Sequence, residues 1–208
     1  MAWKIRDRTF NWGEKTYLMG ILNVTPDSFS DGGQFDSVET ALIQARDMIA
    51  HGVDIIDIGG ESTRPHAESI SVEQELQRVI PVIEQLRQIT QRPISIDTTK
   101  AEVARQAIAS GADLVNDISG GTFDPQMLPT VAQLNVPIIL MHIRGNPQTM
   151  QSLTDYQDVV SEVAEFLTAQ VNKAIASGID RSKIIIDPGI GFAKQAEQSL
   201  ELLQRLNE

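Results

Sequence analysis

The feature that most constrains this chain is an alternation of short apolar runs with segments of helical periodicity, repeated six times. Each run is rich in Ile, Val and Leu and is followed by a polar loop, and then by apolar residues at helical spacing. Such an alternation predicts βα units, a parallel sheet and right-handed crossovers. The predicted strands are 17–22, 53–57, 93–96, 113–115, 137–141 and 183–186.

The polar residues that end these strands favour a barrel over an open sheet. An open doubly wound sheet usually carries ligand residues only beside its switch point, whereas a (β/α)8 barrel gathers every strand end around one mouth. We therefore predict an α/β domain over residues 1–208 of the TIM (β/α)8 barrel type, of which this chain supplies about six βα units. The strand ends are Asn23, Asp57, Asp97, Asn116 or Asp117, His142 and Asp187.

Composition excludes several classes of protein. The 208 residues carry a formal net charge of -11, which argues against general nucleic-acid binding because that needs a basic surface. No apolar run approaches the roughly 20 residues that span a membrane. The chain has no Cys, so disulfides and thiolate metal sites are excluded and a cytoplasmic location is expected. An anionic substrate is compatible with the charge if Arg, backbone N–H groups or a metal supply local positive charge.

Local signals add one hairpin and several helix starts. Residues 1–16 are predicted to form a short polar leader with a hairpin around 11–13. Ser71-Val-Glu-Gln74 and Thr99-Lys-Ala-Glu102 have the pattern of capping boxes. Thr154 with Gln157 predicts the start of a long helix that stops at Gly178.

Each predicted strand leads into a polar loop with a distinctive segment. The segments are Asn23-Val-Thr-Pro-Asp-Ser-Phe-Ser-Asp-Gly-Gly, Asp57-Ile-Gly-Gly-Glu-Ser-Thr-Arg-Pro, Asp97-Thr-Thr-Lys, Asn116-Asp-Ile-Ser-Gly-Gly, Met141-His-Ile-Arg-Gly-Asn-Pro and Asp187-Pro-Gly-Ile-Gly-Phe. In this order they resemble the loops of one family, the dihydropteroate synthases, and the resemblance covers residues 17 to about 206. It implies a folate-pathway transferase that joins 4-aminobenzoate to the methylene carbon of 6-hydroxymethyl-7,8-dihydropterin diphosphate, with pyrophosphate leaving with the help of Mg²⁺.

The resemblance also implies roles for the polar strand ends. Asp187 and Asn116 would hold the guanidine-like N–H edge of the pterin, since a carboxylate accepts two parallel hydrogen bonds. Asp97 would contact the pterin and stabilise positive charge as the C–O bond breaks. Arg64 would form a bidentate pair with the diphosphate. Asp97 and Arg64 are therefore the candidate catalytic residues.

The remaining candidates would line the substrate-binding site. Thr63 and Arg64 match positions that contact the aminobenzoate and the diphosphate, and Asn23 matches a position that binds Mg²⁺, for which an amide oxygen is a suitable ligand. Met141 and Phe192 match apolar walls against the flat rings. On the residues alone, Asn23 and Asp187 are also typical turn initiators, and Met141 and Phe192 also suit a core.

The sequence departs from the family pattern at two loops and at its end. His66 and Ala193 replace glycines of the family, which would cost about 1 kcal/mol wherever the backbone needs a positive φ. The family continues for two more units, with Ser-Arg-Lys and Arg-x-His segments, so the chain is expected to be part of a longer enzyme or, less favoured, to be completed by a partner chain.

Two other functions stay open at this point. A pterin-binding methyltransferase shares the resemblance, although the loop 23–33 and the Ser62-Thr63-Arg64 run favour the diphosphate-using synthase. A non-catalytic pterin-binding remnant is the other alternative. By the same resemblance the protein is expected to be a homodimer, and His142 to have a structural role.

Overall fold

The structure is a computed structural model that describes residues 2–6, 8–25, 34–65 and 67–208. In these residues, two strands form a small antiparallel sheet, and six parallel strands form the main sheet in the order of the sequence. A doubly wound sheet reverses its strand order at the switch point, so this order confirms the barrel type. The strands are β1 (Ala2–Ile5), β2 (Arg8–Asn11), β3 (Met19–Asn23), β4 (Ile55–Gly59), β5 (Ile94–Asp97), β6 (Leu114–Asp117), β7 (Ile138–Met141) and β8 (Ile184–Asp187).

Helices cover the outer face of the main sheet. The outward residues of the strands, among them Leu22, Ile56, Ile96 and Leu140, share one buried cluster with apolar residues of the helices. No helix in the described part of the chain is long and apolar enough to cross a membrane. The helices are α1 (Gln34–Ala50), α2 (Val72–Ile89), α3 (Ala101–Ala109), α4 (Met127–Leu134), α5 (Val159–Ala176) and α6 (Ala196–Gln204).

The inward face of the sheet changes from apolar to polar along each strand. Because side chains alternate between the two faces of a strand, residues two apart point to the same side. Ile55 and Leu114 belong to an apolar cluster near the amino ends of their strands. Two residues further on, the same face carries Asp57 and Asn116. The polar groups therefore collect at the carboxyl ends, where barrel enzymes have their active sites.

The β1–β2 hairpin closes the amino end of the sheet. Trp3, Ile5 and Phe10 are buried and pack against Ile55 and Leu114 of the main sheet, and the Trp3 indole N–H donates to the Ser182 carbonyl. The hairpin prediction is therefore confirmed, but its position and its polar character are wrong. The paired residues run from Ala2 opposite Asn11 to Ile5 opposite Arg8, so the turn comes earlier than predicted. Trp3, Ile5 and Phe10 face the core, and their alternation is hard to recognise in strands of only four residues.

Two of the predicted helix caps differ from the observed ones. The capping box at Ser71 is present, whereas α3 makes no side-chain cap hydrogen bond with its own flanking residue. Instead Asp124, which is distant in sequence, accepts from Ala101 N at 2.8 Å. The long helix α5 is capped by Asp158 and not by Thr154. In both places a carboxylate takes the cap position that the sequence pattern gave to a threonine.

The amino ends of β5 and β6 are joined by a largely buried ion pair. Arg87 Nη2 donates to Asp113 Oδ2 at 2.6 Å, and the same oxygen accepts from Ile94 N at 2.9 Å. The Arg87 and Asp113 side chains are 12% and 9% exposed. The guanidinium also donates to the Gly111 carbonyl. The pair therefore fixes α2 to the amino ends of the strands, opposite the end of the barrel that carries the site.

We expect Arg87→Met to lower the free energy of unfolding by about 3 kcal/mol. The change removes one of the two arginines that pair with Asp113, the other being the more exposed Arg6, and it also removes the donors to the Gly111 carbonyl. Urea unfolding measures this loss. Arg105→Met is the control: its guanidinium pairs with Glu102 on the exposed side of α3, and no measurable change is expected. Equal losses in the two variants would contradict the importance given to the Arg87–Asp113 pair.

Candidate active site

The strand ends that the sequence singled out lie in one row. In the register of the sheet, Asn23 is opposite Gly59, Gly59 is opposite Asp97, and Asp97 is opposite Asn116. Further along the same sheet, Met141 at the end of β7 is opposite Asp187 at the end of β8. The structure therefore brings these predicted residues to the same edge of the barrel.

Asp57 is the buried acceptor that holds Asn116 in place. Its Oδ2 accepts from the Asn116 amide at 2.9 Å, whereas its Oδ1 is buried and has no hydrogen-bond partner among the described residues. Burial raises the pKa of Asp57 to about 6, although Ser95 and Asn116 favour its charged form. Asp57 was recognised as a polar strand end but not as a site residue, since its partner is 59 positions away.

Asp97 lies in an acidic environment. Burial, followed by the charges of Asp57, Glu75, Asp117 and Glu61, raises its pKa well above the usual value for aspartate. Asp97 Oδ2 and Asn23 Oδ1 lie on the same side of Gly59, at 3.4 and 3.5 Å from the position that a Cβ would occupy there. The candidate metal residue and a candidate pterin residue are thus neighbours.

Asp117, the other polar residue at the end of β6, accepts hydrogen bonds from the loop that follows it. Its Oδ1 accepts from the Ser119 amide and hydroxyl at 2.8 and 2.7 Å, and its Oδ2 accepts from Gly121 N at 2.9 Å. Burial still raises its pKa to about 6. Asn116 is consequently the residue of this pair that faces the barrel mouth, as its bond to Asp57 shows.

A cavity of about 200 Å³ opens beside Asp97. Thr63 is in its wall, whereas Arg64 is exposed and does not line it. In the part of the chain that the structure describes, the Arg64 guanidinium forms no ion pair. The cavity is lined by residues of four loops together with one residue of α2 and one of β5: Glu61, Ser62, Thr63, Ala67, Ser69, Glu75, Asp97, Thr98, Thr99, Ile118, Phe123, Asn146, Pro147 and Gln148.

The loop after β8 is held together by a buried lysine. Lys194 Nζ is 2.9 Å from His142 Nδ1 and donates to the Gly189 and Phe192 carbonyls, also at 2.9 Å. Asp187 Oδ1 accepts from Gly189 N at 2.7 Å, so the turn-forming role considered for Asp187 is present. Sequence reasoning gave Lys194 no role, because only the folded loop shows its three acceptors.

His142 is neutral in this environment. Burial, then the nearby Lys194 and Arg144 charges, lower its pKa to about 3, and its ring packs edge-on against Phe166 at 4.9 Å between centroids. Since the Lys194 ammonium can only donate, it fixes Nδ1 as the acceptor. These contacts are those of a structural histidine.

Met141 and Phe192 belong to a small apolar cluster at the mouth. The cluster contains Ile118, Met141, Ile143, Met150 and Ala193, with Phe192 packed against it. Ala193 has φ +51°, so this departure from the family glycine does place a side chain in the left-handed region. The other departure, His66, and the loop residues 26–33 lie outside the described residues.

Comparison with known proteins identifies the family. The model of the pterin-binding enzymes matches residues 19–208. A dihydropteroate synthase of Synechocystis sp. is 61% identical over 199 residues, which is 96% of this chain and 69% of that enzyme. The chain belongs to the dihydropteroate synthase family of pterin-binding enzymes.

Solved dihydropteroate synthases share the fold. The Yersinia pestis enzyme in a sulfonamide drug complex matches with a TM-score of 0.91 and 40% identity, over 99% of this chain and 74% of that one. The Xanthomonas albilineans enzyme in complex with 7,8-dihydropteroate matches with a TM-score of 0.86 and 41% identity, over 99% and 72%. The chain also spans 37% of a bifunctional folate synthesis protein of Arabidopsis thaliana.

Two glycines of the last loop provide a test of its packing. A Cβ on Gly189 would lie 2.1 Å from the His142 carbonyl oxygen, whereas a Cβ on Gly191 would meet nothing within 4 Å. Both have positive φ, at 68° and 81°. We expect Gly189→Ala to cost about 3 kcal/mol of unfolding free energy through overpacking, and Gly191→Ala about 1 kcal/mol through backbone strain alone. Chemical unfolding of both variants distinguishes the two costs, and equal losses would contradict the close approach of Gly189 to His142.

The raised pKa of Asp57 predicts a pH dependence of stability. A carboxyl group whose pKa rises on folding contributes stability at low pH and loses it as pH rises through the folded pKa. The Asp57→Asn variant does not have this loss, so its unfolding free energy relative to wild type is expected to rise by about 2 kcal/mol between pH 4 and pH 7.

Urea unfolding over this pH range measures the trend. The control is Asp180→Asn, because hydrogen bonds from Ser182 lower the pKa of Asp180. The stability that this lowered pKa provides is lost only as the pH falls below about 4, so little change in relative stability is expected for the control between pH 4 and pH 7. A flat difference for Asp57→Asn would show that Asp57 is charged at pH 4.

Proposed function

We propose that this chain performs the dihydropteroate synthase reaction, in which 4-aminobenzoate displaces the diphosphate of 6-hydroxymethyl-7,8-dihydropterin diphosphate to give 7,8-dihydropteroate. The observation that carries the proposal is the row of Asn23, Asp97 and Asn116 at the carboxyl ends of the strands. Asp187 lies at the carboxyl end of β8, further along the same sheet. The relatives described above support it, since they carry this activity in their names.

The acidic groups of this row suit the N–H edge of a pterin. Asp187 keeps one carboxylate oxygen for its own turn and has the other for a ligand, while Asn116, oriented by Asp57, offers its amide oxygen. A ligand N–H bound to a buried carboxylate stabilises its charged form. Pterin binding therefore offsets part of the cost of ionising Asp97 and Asp57.

The chemical step needs stabilisation of charge more than proton abstraction. The C–O bond to the diphosphate breaks with its electron pair on the leaving oxygen, and the arylamine nitrogen forms the new C–N bond and releases a proton. Asp97 in its charged form stabilises the positive charge that develops on the methylene carbon. Arg64 pairs with the diphosphate when the second loop meets the substrate, and Thr63 contacts the aminobenzoate from the cavity wall.

The apolar side of the site excludes water from the pterin ring. Met141 is 4% exposed and Phe192 is half-buried beside it. A flat ring between these side chains is shielded from water, which strengthens the hydrogen bonds at its polar edge. Both residues therefore bind and orient the ring.

Mg²⁺ fits the donor set next to the diphosphate. Within the described residues no group of three His, Asp or Glu side chains is placed to hold a metal, but Asn23 Oδ1 and Asp97 Oδ2 both face Gly59. Mg²⁺ prefers oxygen ligands and is typically bound by one or two protein groups, waters and substrate phosphates. Asn23 would hold the ion, which would neutralise charge on the leaving diphosphate.

The proposal extends to assembly and location. A homodimer in the cytoplasm accords with the family resemblance and with the absence of Cys. Sedimentation of the purified chain tests the dimer. Pyrophosphate release that depends on 4-aminobenzoate tests the activity and separates a synthase from both a methyltransferase and a non-catalytic pterin-binding protein.

Variants of Asp187 test the pterin contact. We expect Asp187→Ala and Asp187→Asn each to weaken binding of 6-hydroxymethyl-7,8-dihydropterin about 10- to 100-fold, since the charge-assisted hydrogen bond to the second carboxylate oxygen is lost or mismatched. Asn at this position retains an oxygen for Gly189 N, so it separates the ligand contact from the turn. Isothermal titration calorimetry with the pterin that lacks the diphosphate measures the effect.

Arg64→Ala is the comparison in the same experiment. This pterin has no diphosphate, so its affinity is expected to be unchanged, while the KM for the diphosphate substrate and for 4-aminobenzoate rises. Unchanged pterin affinity in both Asp187 variants would remove Asp187 from the site.

A further inference from the structure

One lysine beside the site bridges two carboxylates from different parts of the fold. Lys100 follows β5, and its Nζ forms ion pairs with Glu61, at the start of the loop after β4, and with Glu75 Oε2 of α2, the latter at 2.5 Å. The Glu75 side chain is fully buried, and the Lys100 and Glu61 side chains are 18% and 24% exposed. The reaction proposed above uses none of these three residues.

The burial of Glu75 makes the position of the ammonium hard to change. Burial raises the pKa of Glu75, and Lys100 counteracts this as its hydrogen-bond partner. The other oxygen, Oε1, is buried and has no hydrogen-bond partner in the described residues. A buried carboxylate that loses its counter-ion is strongly destabilised, so Lys100 is held at Glu75, and Glu61 is held in turn by Lys100.

The residue before Glu61 is fixed by the same helix. Arg78 of α2 donates to the Gly60 carbonyl at 2.7 Å. A Cβ on Gly60 would lie 2.8 Å from Val79 Cγ1 and 3.1 Å from Glu75 Cγ, so only glycine lets the backbone approach α2 this closely. Gly60 and Glu61 thus form a fixed base for the loop.

The residues that follow this base are those expected to meet the second substrate. Ser62 and Thr63 line the cavity together with Glu61, Glu75 and Asp97. Arg64 comes next in the chain and is exposed. Since neighbouring residues share the backbone, a shift of Glu61 would displace Thr63 and Arg64 directly, whereas Asp187 and Asn116 belong to other strands.

We propose that Lys100 is a positioning residue for the 4-aminobenzoate side of the site, acting through Glu61 to set where Thr63 and Arg64 lie. This inference rests on the proposed function for its substrate. On this proposal, the two halves of the site are positioned by different contacts. The ion pairs of Lys100 position the 4-aminobenzoate half, and the hydrogen bond from Asn116 to Asp57 positions the pterin half.

The test compares Lys100→Met and Glu61→Gln with Arg87→Met, a control that removes an ion pair at the opposite end of the barrel. Both site variants are expected to raise the KM for 4-aminobenzoate, by about 10- to 100-fold for Lys100→Met, because small displacements of a substrate-binding group are costly. Their affinity for the dihydropterin is expected to change far less, because on that side only the charges that act on Asp97 are altered. Arg87→Met is expected to lose stability without a change in either quantity.

Two further variants separate positioning from folding. Glu61→Gln leaves the Lys100–Glu75 pair intact, so it tests the loop half of the bridge even if Lys100→Met does not fold. The double variant Glu61→Gln/Lys100→Met is expected to have the same KM as Lys100→Met alone, because both changes break one coupling. Lys100→Arg keeps the positive charge, so its KM for 4-aminobenzoate is expected to lie between those of the wild type and Lys100→Met.

The opposite results overturn the inference. If Glu61→Gln and Lys100→Met leave the KM for 4-aminobenzoate unchanged, or lower pterin affinity as much as they raise this KM, Lys100 is a structural residue only. If the wild-type chain releases no pyrophosphate at all, the proposed function fails, and hydrogen exchange then tests the bridge by itself. Faster exchange of the Glu61–Arg64 amides in Lys100→Met, with unchanged exchange in Ile94–Asp97, supports it, and equal exchange refutes it.

Discussion

The cost of burying carboxylates at the carboxyl ends of the strands is the constraint on which the site depends. Burial raises the pKa of Asp57, Asp97 and Asp117, so each is less easily ionised than in water. Asp117 is satisfied by donors of its own loop, whereas Asp57 keeps one oxygen without a partner among the described residues. Asp97 lines the cavity at the barrel mouth, where a ligand rich in N–H groups would be complementary to its carboxylate.

The two ends of the barrel differ in how their inward-facing polar groups are paired. At the amino end, the hairpin fills the interior with Trp3, Ile5 and Phe10, and Asp113 is paired with an arginine and a backbone amide. At the carboxyl end, Asp57 keeps one oxygen without a hydrogen-bond partner among the described residues, and Asp97 lies near four other acidic groups. Stability is therefore concentrated at one end and binding capacity at the other, as expected for a (β/α) barrel.

The order of the strands and the identity of their end residues could be predicted from the sequence because both depend on local patterns. The contacts that organise the site could not, because they join residues far apart in the chain. Asp57 and Asn116 are 59 positions apart, and Asp124 caps a helix that begins 23 positions earlier. In the hairpin, strands of four residues are too short for their alternation to stand out against a polar leader.

The two lysines that stabilise the loops differ in the charge of their partners, and this difference sets their response to pH. Burial opposes the charged form of Lys100, but hydrogen bonds with Glu61 and Glu75 raise its pKa. Lys194 has neutral carbonyls and the neutral His142 as partners, and burial lowers its pKa to about 8. Above pH 8 the loop after β8 therefore loses its charged donor while the bridge to Glu61 is retained. The pterin half of the site, which contains Asp187 and Phe192, is consequently the half that alkaline pH weakens first.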